Sequence, residues 1–139
     1  CGGGIYTSAA EAAAKVDGKV IGVDSDQAPI IDAYGEGMTV TSAMKGLAPT
    51  VNTLLSAIVL DDTWSDYVGK IDNLGLVSDN VEENYVQLPL ESTQWNDGFT
   101  EDDYKALVAD MLAGKVTVDN GIEAMPEVAV TVNDLGNIK

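Results

Sequence analysis

Val20, Ile21 and Val23 form a β-branched apolar run that halts at Asp24-Ser25-Asp26-Gln27. No other stretch limits the fold as much. Such side chains suit a strand buried on both faces, the habit of parallel strands flanked by helices. Upstream, Gly2-Gly3-Gly4 leads into the alanine-rich segment from Ser8 to Lys15. Ser8 and Glu11 have capping-box spacing. The alanines are strong helix formers and let a helix lie close to a sheet. Asp17-Gly18 ends the segment. A glycine turn, a helix and a buried strand in this order make the second half of a β-α-β unit.

Open α/β sheets bind ligands beyond the carboxyl ends of their strands, which is where Asp24 falls. A carboxylate there accepts two hydrogen bonds from vicinal hydroxyls, such as those of a ribose. Asp24 is therefore expected to grip a sugar, with the backbone N–H groups of Gly3 and Gly4 approaching from the same sheet edge. Met38 to Ser42 reads as a short strand by its β-branching, and Lys45 follows at its end. A lysine in that place can hydrogen-bond a ligand or neutralise Asp24. With 7 basic residues against 23 acidic ones, a lysine beside the cleft carries unusual weight.

The remaining elements follow in order. Ala28 to Gly37 reads as a loop, marked by Pro29, Gly35 and Gly37. Pro49 suits a first helical turn. Val51, Leu54, Leu55, Ile58 and Val59 keep helical spacing, which predicts a core-facing helix ending at Asp61-Asp62. A strand is expected near Ile71–Val77 and another over Tyr85–Leu90, with Pro89 near its end. Trp95 is expected to cap the core. Thr100 and Asp103 form an N-cap pair ahead of Tyr104, Leu107, Val108, Met111 and Leu112, and Gly114 closes that helix. Glu127–Val132 predicts a last strand, followed by a polar tail with Asp134, Asn137 and Lys139. The whole predicts one α/β domain over 1–139, a three-layer sandwich with a mostly parallel sheet.

Composition removes several functions. The net charge of −16 opposes nucleic acid and anionic membranes as partners. The chain has no histidine and a single cysteine. It thus lacks the commonest general base and any cysteine zinc cluster. Asp61-Asp62 has no EF-hand spacing. We expect no catalytic residue, no metal site and no cofactor. No apolar run approaches the roughly 20 residues that span a bilayer. Cys1-Gly2-Gly3-Gly4 is like the start of a mature bacterial lipoprotein, although a helix pattern follows at once where a tether is usual. That pattern favours a chain that starts in mid-protein, just after a strand.

CGGG, the helix SAAEAAAK, VIGVDSDQ and VTSAMK, in this order, resemble the basic membrane protein family of bacterial solute-binding lipoproteins. The resemblance covers Cys1 to about Val59 and is loose beyond. It implies one lobe of a type I periplasmic-binding-protein fold, most of the C-terminal lobe. It also implies a missing N-terminal lobe, an ABC importer permease as partner, and an extracytoplasmic, membrane-anchored location. The ligand implied is a nucleoside, with a purine favoured. By motif, Asp24 binds the ribose hydroxyls, Lys45 reaches the ligand from the next strand, and Gly3 and Gly4 approach it by backbone. Asp26 and Gln27 shape the loop. GGGIY replaces a pattern resembling GGTG, so the glycine correspondence shifts by up to one position. Two rivals share parts of this pattern. One is the effector domain of a sugar-responsive transcription regulator. The other is a dinucleotide-binding oxidoreductase, which the incomplete glycine fingerprint and the acidity oppose.

Overall fold

A computed structural model of the chain describes residues 3–119, 121, 124–125, 127–133 and 136. Cys1 and Gly2 lie outside these residues, as do Asp134, Asn137 and Lys139 of the expected polar tail.

The alanine-rich helix forms, but it starts earlier than its capping signal predicts. A 3-10 turn over Gly3–Ile5 runs straight into α1, Tyr6–Ala14. Ser8 therefore lies inside the helix, and no side chain caps it. The Thr7 hydroxyl instead donates to the Gly4 carbonyl at 3.0 Å. After Asp17-Gly18 the chain enters β1, Val20–Asp24. The stretch expected to be loop winds one short helix, α2, Ala28–Ile31, with Pro29 in its first turn. Next comes β2, Thr39–Lys45, which starts one residue later than the expected strand and runs three residues past its expected end at Ser42.

The architecture is mixed α/β with an open three-stranded sheet in the order β1-β2-β3. β1 and β2 are parallel, and β3, only Val86–Gln87, runs antiparallel to β2. Two other expected strands do not form. Residues 71–77 stay irregular, and at their end the Asn84 Oδ1 accepts from the Val77 N–H at 2.6 Å and from the Ser78 N–H just beyond at 2.9 Å. Those donors are then lost to any ladder. Glu127–Val132 also lacks strand structure; Val128, Val130 and Val132 remain 44–73% exposed. A lone strand without a partner gains no hydrogen bonds.

Helix α3, Leu47–Val59, corrects a second expectation. Its apolar stripe does not face a core. Val51, Leu55, Ile58 and Val59 are more than half exposed and only Ala57 is buried. The helix packs chiefly on the 3-10 turn Trp64–Asp66, because the small sheet offers too little surface to cover it. The core is split in two. Ala10, Ile31 and Met38 form one cluster, with Tyr6, Ala13 and Val20 around it. Val81, Tyr104 and Val108 form the other, with Leu76, Leu88, Leu90 and Trp95. Trp95 caps this second cluster as expected, stacking on Tyr104 at 5.8 Å and donating to the Leu90 carbonyl at 2.9 Å.

The last helix, α4, Glu101–Leu112, carries the expected capping box. Asp103 Oδ2 accepts from the Thr100 backbone N–H at 2.9 Å and from its hydroxyl at 2.7 Å. These bonds hold the Asp103 carboxyl below its ordinary value of 3.8, the backbone bond contributing most. Tyr104 is held in place by the Leu88 N–H, which donates to its hydroxyl at 3.2 Å. Burial raises the Tyr104 pKa.

Gly46, between β2 and α3, has no room for a side chain. A Cβ there would collide with the Asn84 carbonyl and the Tyr85 backbone, while its own N–H donates to the Tyr85 carbonyl at 2.8 Å. Gly46→Ala should lower stability by about 1–3 kcal/mol, as forced overpacking does. An unchanged denaturation midpoint would contradict this close approach. A carboxyl depressed in the folded state adds stability above pH 3.8 and loses it as pH falls towards its folded value. The stability gap between the parent and Asp103→Ala should therefore be full near neutrality and shrink below pH 3.8, measured by denaturant titration at each pH.

Candidate functional site

The parallel pairing of β1 with β2 sets Asp24 opposite Met44, one residue before Lys45. Both strands end at the same edge of the sheet, so their terminal side chains meet. Lys45 Nζ lies 2.7 Å from Asp24 Oδ1. The pair is open to solvent, with Asp24 39% and Lys45 67% exposed. A pair this exposed contributes only about 0–1 kcal/mol to stability.

The backbone beneath the pair is strained. Asp24 has φ of 73°, in the left-handed region that costs a non-glycine residue about 1–2 kcal/mol. The Ser25 N–H donates to the Val23 carbonyl at 2.9 Å, which closes a three-residue γ-turn around Asp24. Such strain persists only where the surroundings over-determine it. Here the surroundings are polar and buried. Gln27 Oε1 accepts from the Val23 N–H at 3.1 Å, and the Gln27 N–H donates to Ser42 Oγ at 3.1 Å. Gln27 and Ser42 are 6% and 0% exposed. Gly22 leaves the space for them: a Cβ there would strike Ser42 Oγ and press on Gln27 Oε1 at 3.1 Å. Asp26 Oδ1 accepts from the Ala28 N–H at 3.1 Å and starts α2. Asp26 and Gln27 thus shape the turn that presents Asp24.

Asp24 and Lys45 are the two expected site residues that the structure brings into contact. Gly3 and Gly4 lie in the 3-10 turn ahead of α1, and among the described residues no hydrogen bond links them to either. Asp24 Oδ2 has no partner among the described residues. Lys45 keeps two further ammonium protons beyond the one facing Asp24. A hydroxyl group can donate to the first and accept from the second.

Beside the pair lies an open apolar groove of about 470 Å³, with Met44 and Lys45 at one side and Phe99, Tyr104 and Met111 at the other. Helical spacing reads the α4 residues as core, so this groove is not evident from sequence. A second hollow of about 250 Å³ lies between α3 and Trp64, Tyr67 and Tyr85. Its Tyr85 and Thr53 hydroxyls bond one another at 2.9 Å. Among the described residues, no three carboxylate or cysteine side chains converge on a metal site. Comparison of the chain with protein-family models, characterised proteins and solved structures finds no match.

Asp24→Gly, which removes the left-handed penalty, should keep stability within about 1 kcal/mol of the parent or raise it. Asp24→Val should lower it by about 1–2 kcal/mol. Chemical denaturation of the three proteins checks both, and a valine variant as stable as the parent would contradict the strained turn.

Proposed function

We propose that this chain is most of the C-terminal lobe of a solute-binding protein of a bacterial ABC importer. Its ligand is a nucleoside, with a purine favoured. The fold is then one lobe of a three-layer, type I periplasmic-binding-protein architecture. A second lobe supplies the other half of the grip, and the permease receives the loaded protein. The location is extracytoplasmic, on a membrane anchor. The chain binds and does not catalyse.

One observation carries the reading: the half-exposed Asp24–Lys45 pair at the shared carboxyl edge of two parallel strands. Its free carboxylate oxygen and spare ammonium protons match the donor and acceptor of a sugar hydroxyl. The high acidity supports a neutral ligand, since a chain of net charge −16 repels phosphates. Strain held at Asp24 is typical of residues fixed in advance for a ligand.

The test is calorimetric titration of adenosine into the protein carrying both lobes. Asp24→Ala should weaken binding by about 1–3 kcal/mol, the range for losing hydrogen bonds to a charged group. Unchanged affinity would remove Asp24 from the ligand contacts. The isolated lobe should bind far more weakly than the two together.

A further inference from the structure

We propose that the apolar groove beside Lys45 holds the ring system of the ligand whose hydroxyls meet the Asp24–Lys45 pair. The inference rests on the nucleoside reading and extends it to how the base is selected.

Three observations lead here. The first is continuity. Lys45 belongs to both places, bonded to Asp24 at 2.7 Å and lining the groove of about 470 Å³. Met44, its neighbour in β2 and the partner of Asp24 in register, lines the groove as well. A rigid ligand no longer than a nucleoside spans adjacent positions of paired strands, which lie about 5 Å apart. The second is chemistry. Phe99, Leu107 and Met111 face a solvent-open hollow, and Phe99 and Leu107 are 42% and 37% exposed. Flat aromatic rings gain from contact with thioether sulfur and with an aromatic face. The third is the state of the polar groups. Gln87 Nε2 already donates to the Glu82 carbonyl at 2.6 Å and to the Asn84 carbonyl at 2.8 Å. The Tyr104 hydroxyl already accepts from the Leu88 N–H.

The Gln87 Nε2 donors and one acceptor site of the Tyr104 hydroxyl are taken, which leaves Gln87 Oε1 and the Tyr104 hydroxyl proton for a ring edge. The rest of the lining is mostly apolar, so the groove selects a ring by shape and apolar area more than by its edge hydrogen bonds. A hydrophobic pocket discriminates weakly between analogues that differ by one polar group. Adenosine and inosine should therefore bind with affinities within about tenfold of each other. Uridine, with a smaller ring to bury, should bind more weakly.

The experiment is amide-resolved NMR titration of this chain with free adenine and, separately, with ribose. Adenine should shift the Leu88, Phe99, Tyr104 and Met111 amides. Leu107→Glu, at a partly exposed position that tolerates the change, should weaken that response by about tenfold or more. The ribose response at Asp24 and Lys45 should survive in Leu107→Glu. Ribose shifts at Asp24 and Lys45 with an adenine-silent groove overturn this proposal and leave the nucleoside reading standing. Adenine shifts in the groove with ribose silent at Asp24 support the groove and overturn the role of Asp24. Groove shifts that follow protein concentration without any ligand assign the groove to a second copy of the chain and overturn the proposal.

Discussion

The buried bonds from Gln27 to Val23 and Ser42 are what the rest of this structure depends on. They turn the chain at the end of β1 and hold Asp24 in a left-handed conformation that it would not keep alone. An unpaired buried amide or hydroxyl costs about 1–3 kcal/mol, so each partner locks the other. Gly22 is part of the same device, because any side chain there would displace Ser42 and Gln27. The same turn fixes β1 beside β2 and starts α2. The candidate site and the local fold thus share one cause.

The ion pair matters less for stability than for what it leaves free. Both groups face solvent, so their attraction is screened. A ligand hydroxyl can enter the pair without breaking a buried contact. In the proposed role, the surrounding charge bears on which ligand fits. A chain with 23 acids against 7 bases repels phosphates, while in the proposed role one lysine at a strand end offers directed protons to a neutral sugar. An apolar groove next to such a polar point suits a molecule with one hydroxylated end and one flat end.

Local signals in the sequence were readable where the physics is local. The β-branched run marks β1, although as an edge strand with Ile21 64% exposed it is not buried on both faces as its side chains predict. The alanines mark α1, and Thr100 with Asp103 marks the start of α4. Asp24 and Lys45 were readable as neighbours because each ends one of two successive strands. Features set by distant partners were not readable. Residues 71–77 look like a strand, but the buried, polar Asn84 takes the Val77 amide at their end and the Ser78 amide beyond it. The stripe on α3 looks like core until the sheet proves too narrow to receive it. Ser42 and Gln27 have side chains of a type usually exposed, so nothing in their identity announces full burial. The groove stayed hidden because Met111 and Leu107 keep the spacing of an ordinary buried face.

The role proposed for the Asp24–Lys45 pair is to recognise sugar hydroxyls. It is tested most directly by comparing adenosine with 2′,3′-dideoxyadenosine, which keeps the ring and loses both hydroxyls of the vicinal pair. The readout is the displacement of the Asp24 and Lys45 amide resonances during titration. Adenosine should give a saturable shift and the dideoxy compound none at those two residues. Equal shifts from both would contradict it.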